Sequence, residues 1–190
     1  MAIEEAPSMR NLIVGRLFNS ALFYIAWLVC IDQAKGPYPL VGPALIGFLL
    51  LLHLYLSKEK NLEITLIASV AIFGTVLDSI YIHLGWVEYK GGYEHFHGII
   101  PLWMTSLWAF YATTINHSLA WAGRSLPLMI LLGGFGGAAS YAVAFRMGAA
   151  TLSIPLTSML IVIGCVWAIV FPATFYWNGW LRSRISQSGQ

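Results

Sequence analysis

Leu62–Leu84 reads LEITLIASVAIFGTVLDSIYIHL. A helix rises about 1.5 Å per residue, and about 20 residues cross the ~30 Å of a bilayer's hydrocarbon, so this run has spanning length. Lipid offers backbone N–H and C=O groups no partners, which makes the span a helix. Asp78 lies inside it, and an ionisable side chain there asks for a partner or a role. Working outward, Asn11–Gln33 and Pro39–Leu56 precede it; Ile100–Trp121, Leu126–Met147 and Ile154–Trp177 follow. Pro39, Pro101, Pro127 and Pro155 each fall in the first turn of a proposed helix, where a missing N–H costs little. Pro172 sits inside the last span and is expected to kink it. The reading is an all-α, polytopic membrane bundle of about six transmembrane helices, one domain over residues 1–190.

Composition agrees. Of 190 residues, 58% are hydrophobic and 9% charged, against about 25% charged in soluble domains. So few charges cannot cover so much apolar surface in water. A net charge of +2 is too small to suggest a nucleic-acid footprint, and there is no basic run, so no nucleic-acid partner is expected. Glu4 and Glu5 stand where a signal peptide would carry basic residues, so the first helix reads as retained. No lipidation motif is expected, since Ala2 follows Met1 and the tail lacks cysteine. Cys30 and Cys165 differ in expected depth by about 10 Å, beyond disulfide reach, and read as two free thiols.

Basic residues orient the bundle. Arg10, Lys58, Lys60, Arg124, Arg182 and Arg184 fall on one side; Lys35, Lys90 and Arg146 fall on the other. The positive-inside rule places both termini in the cytoplasm and turns the Gly85–Ile99 loop outward. Localisation is then a bacterial cytoplasmic (inner) membrane, multi-pass. No internal repeat of the kind many transporters show is evident.

Polar residues within the spans fall in two layers. The inner layer holds Arg16, Asn19, His53, Asn116 and His117. Arg16, Asn19, Ser20 and Phe23 share one helix face by their i, i+3, i+4, i+7 spacing. It is either a pocket in which His53 or His117 acts as acid, base or ligand, or a set of snorkelling and interhelical contacts. The outer layer holds Asp78, Tyr141, Arg146 and His83. An Asp78–Arg146 pair or an Asp78–Tyr141 hydrogen bond would tie two helices; the alternative is a titrating or catalytic carboxylate. Asp78, Asn116, His117, Tyr141 and Arg146 are the candidate catalytic residues. Glu88 or Glu94 with His95-x-His97 in the outward loop is the weak metal candidate, with interfacial anchoring the competing reading; otherwise no metal site is expected.

Gly133–Gly137, Gly134–Ala138 and Gly136–Ser140 are small-xxx-small pairs, read as a packing seam or as a groove where a lipid chain or substrate meets bare backbone. The same face would serve a homo-oligomer. Most tryptophans map near helix ends as an aromatic belt; Trp108 and Trp167 lie deeper and are expected to pack within the bundle.

Several patterns carry a family resemblance: Asn19…Phe23…Trp27; Gly74-Thr75-Val76-Leu77-Asp78-Ser79; Pro101-Leu102-Trp103…Leu107-Trp108 leading into Thr113-Thr114-Ile115-Asn116-His117-Ser118-Leu119…Trp121; and Gly133…Gly136-Gly137…Ser140-Tyr141…Arg146-Met147-Gly148-Ala149. On these residues the chain resembles the bacterial DUF2878 family of small membrane proteins. Tyr24 stands where members often carry Gln, and Ala138 where they often carry Pro. The resemblance implies a genomic setting beside enzymes that alter membrane fatty acyl chains, of cyclopropane-synthase-like and flavin-dependent types, and assigns no catalytic residue or cofactor. The expected function is therefore a component of membrane-lipid modification or envelope stress response, with membrane lipids and lipid-modifying enzymes as partners. Whether the chain is itself an enzyme stays open. The alternatives are a small proton- or solute-coupled transporter, with the two polar layers as gates, and a scaffold recruiting soluble enzymes. No nucleophile elbow, phosphate loop or dinucleotide fingerprint is present.

Overall fold

The computed structural model describes residues 9–93 and 98–188. Among these residues six α-helices follow one another: α1 (Met9–Gln33), α2 (Val41–Leu56), α3 (Lys60–His83), α4 (Leu102–Ile115), α5 (Leu126–Arg146) and α6 (Leu156–Ser188). A 3₁₀ turn, Ala120–Arg124, precedes α5. Two strands unforeseen in the sequence, β1 (Val87–Tyr89) and β2 (Ala150–Leu152), pair antiparallel with Glu88 opposite Thr151. They join the α3–α4 and α5–α6 connections, so part of the Gly85–Ile99 loop is a fixed brace. Gly91 beside it has φ +69°, and an added Cβ would sit 2.7 Å from the Ala34 carbonyl; only glycine turns the chain that closely. Lys35 Nζ donates to the Met147 carbonyl (2.6 Å) and Trp103 Nε1 to the Lys90 carbonyl (2.8 Å), closing the same end.

Three helices, Lys60–His83, Leu126–Arg146 and Leu156–Gln187, are long and apolar enough to cross a membrane; Leu17–Gln33 and Val41–Leu56 are shorter apolar helices. Large apolar side chains cover the outside, Phe135 at 75% exposure among them. This is the surface of a membrane protein: in water so broad an apolar exterior would not stay solvated.

α4 is the core. Trp103, Met104 and every residue from Leu107 to Ile115 are buried. It packs on α1, α2, α3 and α6. The sequence predicts a helix through Trp121, yet α4 stops at Ile115. Thr113 and Thr114 turn their hydroxyls back onto the Phe110 and Tyr111 carbonyls (2.7 and 2.6 Å), a bond that competes with the helical ladder. The Thr114 carbonyl then accepts from His117 and Leu119 N–H in a tight turn, and the 3₁₀ segment resumes the path. α6 instead runs past the expected Trp177 to Ser188, continuing through Pro172.

The glycine stripe is an α5–α6 seam. A Cβ on Gly133 would lie 2.3 Å from the Trp167 carbonyl and one on Gly137 2.3 Å from the Trp167 ring, while Gly134 faces Gly164. Gly136 points elsewhere, with nothing within 4 Å of an added Cβ. Cys30 and Cys165 are free thiols, as expected.

Candidate functional site

α5 packs mainly on α6, and α1 on α2 and α4. Between α1 and α5 a groove of about 620 Å³ is left. Its walls are Phe23 and Trp27 of α1, Leu107 and Tyr111 of α4, and Gly136 and Tyr141 of α5, with Trp167 of α6 at the back. It reaches from Ile31 and Trp103 near the β-brace to Ser118 and Trp121 at the opposite end. Tyr24, Gly136 and Ala139 on its lips are exposed, so it opens sideways. Thus the packing-seam reading of the glycine stripe holds for Gly133, Gly134 and Gly137, which grip α6, while Gly136 lines the groove.

Behind this wall lies Asp78, 0% exposed. Trp108 Nε1 donates to its Oδ2 (2.7 Å) and the Tyr141 hydroxyl to its carboxyl oxygens (2.8 Å). The local sequence explains the arrangement. Gly74 and Asp78 are one turn apart on one face of α3; a Cβ on Gly74 would meet the Trp108 ring at 1.9 Å. Glycine makes room for the indole and the aspartate one turn on takes its N–H. Trp108 stacks on Trp167 at 4.8 Å and 10°, and Tyr111 meets Trp167 edge-on at 5.3 Å. The deep tryptophans are therefore bundle packing, as expected, and Trp108 is also the Asp78 partner that the sequence did not reveal. Thr75 and Thr105 share a hydroxyl hydrogen bond (2.9 Å) beside them.

Of the anticipated Asp78 partners, Tyr141 is realised. Arg146 is exposed at the end of α5, and no ion pair with Asp78 forms; the two neutral donors take its place. His83 hydrogen-bonds the Ser79 carbonyl through Nδ1 (2.8 Å). The Tyr89 hydroxyl of β1 is buried without a hydrogen-bond partner among the described residues. Burial first, then the Asp78 charge, hold its phenol well above the ordinary range. His95, His97 and Glu94 lie outside the described residues, as does the Arg16 side chain.

The other polar layer is gathered at the opposite end of the bundle. His53 in the last turn of α2 lies 2.9 Å (Nε2 to Oε2) from Glu63 in the first turn of α3. Asn116, which caps α4, donates to Glu63 Oε1 (2.9 Å) and exchanges hydrogen bonds with Asn178 of α6 (2.7 and 3.2 Å). His117 Nε2 stands 3.8 Å from Glu63 Oε1. The two imidazoles meet edge-on at 5.0 Å. Asn19 of α1 accepts from Ser118 (2.7 Å), so it ties α1 to the same turn rather than joining the cluster. Sequence reasoning found His53, Asn116 and His117 but missed Glu63 and Asn178. Glu63 carried a usable signal: a carboxylate one residue inside a span asks for partners as much as Asp78 does.

A protein-family model described as "Protein of unknown function (DUF2878)" matches residues 16–173. The match takes in the groove, Asp78 and its partners, and the Glu63 cluster except Asn178. No curated protein and no solved structure matches the chain. With most of its length matched, the chain belongs to the DUF2878 family.

Proposed function

We propose that this protein holds a lipid acyl chain in the groove between α1 and α5, as a component of fatty-acyl-chain modification of bacterial membrane lipids. The groove carries this reading. Its volume is in the range of small-molecule sites, about 300–1,000 Å³. Its walls are aromatic and aliphatic, and it opens to the side, which in a bilayer would face lipid chains. Tyr141 lines it and would touch a bound chain; Asp78, held behind Tyr141, positions that hydroxyl. In this reading all six helices span the cytoplasmic membrane with both termini inside. Support comes from Lys58, Lys60, Arg124, Arg182 and Arg184 at one end against Lys35, Lys90 and Arg146 at the other.

Native mass spectrometry of protein extracted in mild detergent tests the binding. Wild type is expected to retain one lipid per chain, and Gly136→Trp, which fills the groove without touching the α5–α6 seam, to lose it. Equal retention by both, or none by wild type, would contradict the proposal. The modification half has its own test: a deletion strain whose fatty-acid profile is unchanged would count against it.

A further inference from the structure

We infer that His53, Glu63 and His117 form a binding site for one divalent transition-metal ion of the zinc class. Two helices and the turn after a third deliver the three side chains to one point: α2 ends at it, α3 begins at it and His117 follows the end of α4. Their donor atoms all lie within 4.8 Å of one another. Two imidazole nitrogens and a carboxylate oxygen about 2.0–2.2 Å from an ion are the ligands and lengths that zinc takes when three protein groups bind it and a fourth position stays open. The present separations of 2.9 and 3.8 Å around Glu63 bracket the roughly 3.4 Å that separates two ligand atoms about 2.1 Å from a tetrahedral ion.

The surroundings suit such a site. Glu63 is 2% exposed, and a cation held between it and the two imidazoles would compensate its charge where water is excluded. The His117 side chain is 43% exposed, which leaves a way in and an open coordination position. Asn116 binds the Glu63 oxygen nearest His117, and Asn178 locks the Asn116 amide in turn. That is the outer-shell support that aims a ligating carboxylate. The donors are nitrogen and oxygen only: Cys30 lies on α1 at its far end and Cys165 on α6 is exposed. An N₂O set favours zinc, cobalt or nickel over soft, thiolate-seeking ions and over hard ions that ask for all-oxygen cages. The inference stands apart from the lipid reading, since the groove and this cluster share none of these three residues.

Cobalt(II) titration of metal-stripped, tag-free protein in detergent tests it. Wild type is expected to bind one equivalent with the intense visible absorption of a low-coordinate site. His117→Ala and Glu63→Gln should abolish that absorption, and Asn116→Ala should weaken binding by about ten- to hundredfold. His83→Ala, at the other end of α3, should bind as wild type does. His117 sits outside any helix with its ring half in solvent, so its removal spares the fold. Absence of stoichiometric cobalt in wild type overturns the site. Undiminished binding in folded His117→Ala overturns it too, by placing the ion elsewhere.

Discussion

Helix α3 carries two buried carboxylates near opposite ends, and their company differs in kind. Asp78 is fully enclosed and meets a tryptophan N–H and a tyrosine O–H. Glu63 is as well buried but meets two imidazoles and an amide beside a half-exposed ring. Indole nitrogen neither ionises nor ligates, and the Tyr141 phenol is an ordinary donor at neutral pH, so the contacts of Asp78 are hydrogen bonds from two neutral donors that join α3 to α4 and α5 behind the groove. Imidazole does both, so the Glu63 constellation can exchange a proton or a cation. Burial of an acid alone thus says little about chemistry; the protonation and ligation capacity of its neighbours decides.

The largest effect should come from Asp78→Ala. It orphans two buried donors, at about 1–3 kcal/mol each, and thermal unfolding in detergent should show a marked loss, with Asp78→Asn between it and wild type. A variant as stable as wild type would break the contrast between the two acids. Gly74→Ala should follow, because its methyl displaces the Trp108 ring and overpacking costs about 1–3 kcal/mol; a shift in tryptophan fluorescence should accompany the loss. Glu63→Gln keeps an acceptor for Asn116 and should cost about 1 kcal/mol in metal-free protein, a smaller change than either.

The least effect belongs to Glu88 of β1. Its hydrogen bond and ion pair with Lys90 hold its carboxyl below the usual range. A lowered carboxyl favours the fold above the ordinary carboxylate pKa and loses that contribution as pH falls through the lowered value. Being exposed, Glu88→Gln should leave the melting temperature at neutral pH unresolved from wild type.

Much of this fold is legible in the sequence. Apolar run length places the helices, and proline marks where three of them begin: Pro101 caps α4, Pro127 lies in the first turn of α5 and Pro155 precedes α6. The early end of α4 is not legible from hydropathy, because Thr113 and Thr114 are apolar enough to continue a span while their hydroxyls compete with it. Three-residue strands leave no periodic signal, so the β1–β2 brace goes unread. Tyr141 can be paired with Asp78 from depth alone. Trp108 cannot, because a deep tryptophan reads as packing; its role follows only when Gly74 and Asp78 are seen on one face. Asn178 lies just past the expected end of the last span, where hydropathy has stopped discriminating.

The groove is the centre of this account, and a photoreactive-acyl phospholipid tests it most directly. After reconstitution and illumination, peptide mapping should place the label on Phe23–Trp27 of α1 and Leu107–Tyr111 of α4, and Gly136→Trp should remove it. Label confined to outer faces such as Leu51, Phe135 and Ile169, with none in the groove, would contradict the account.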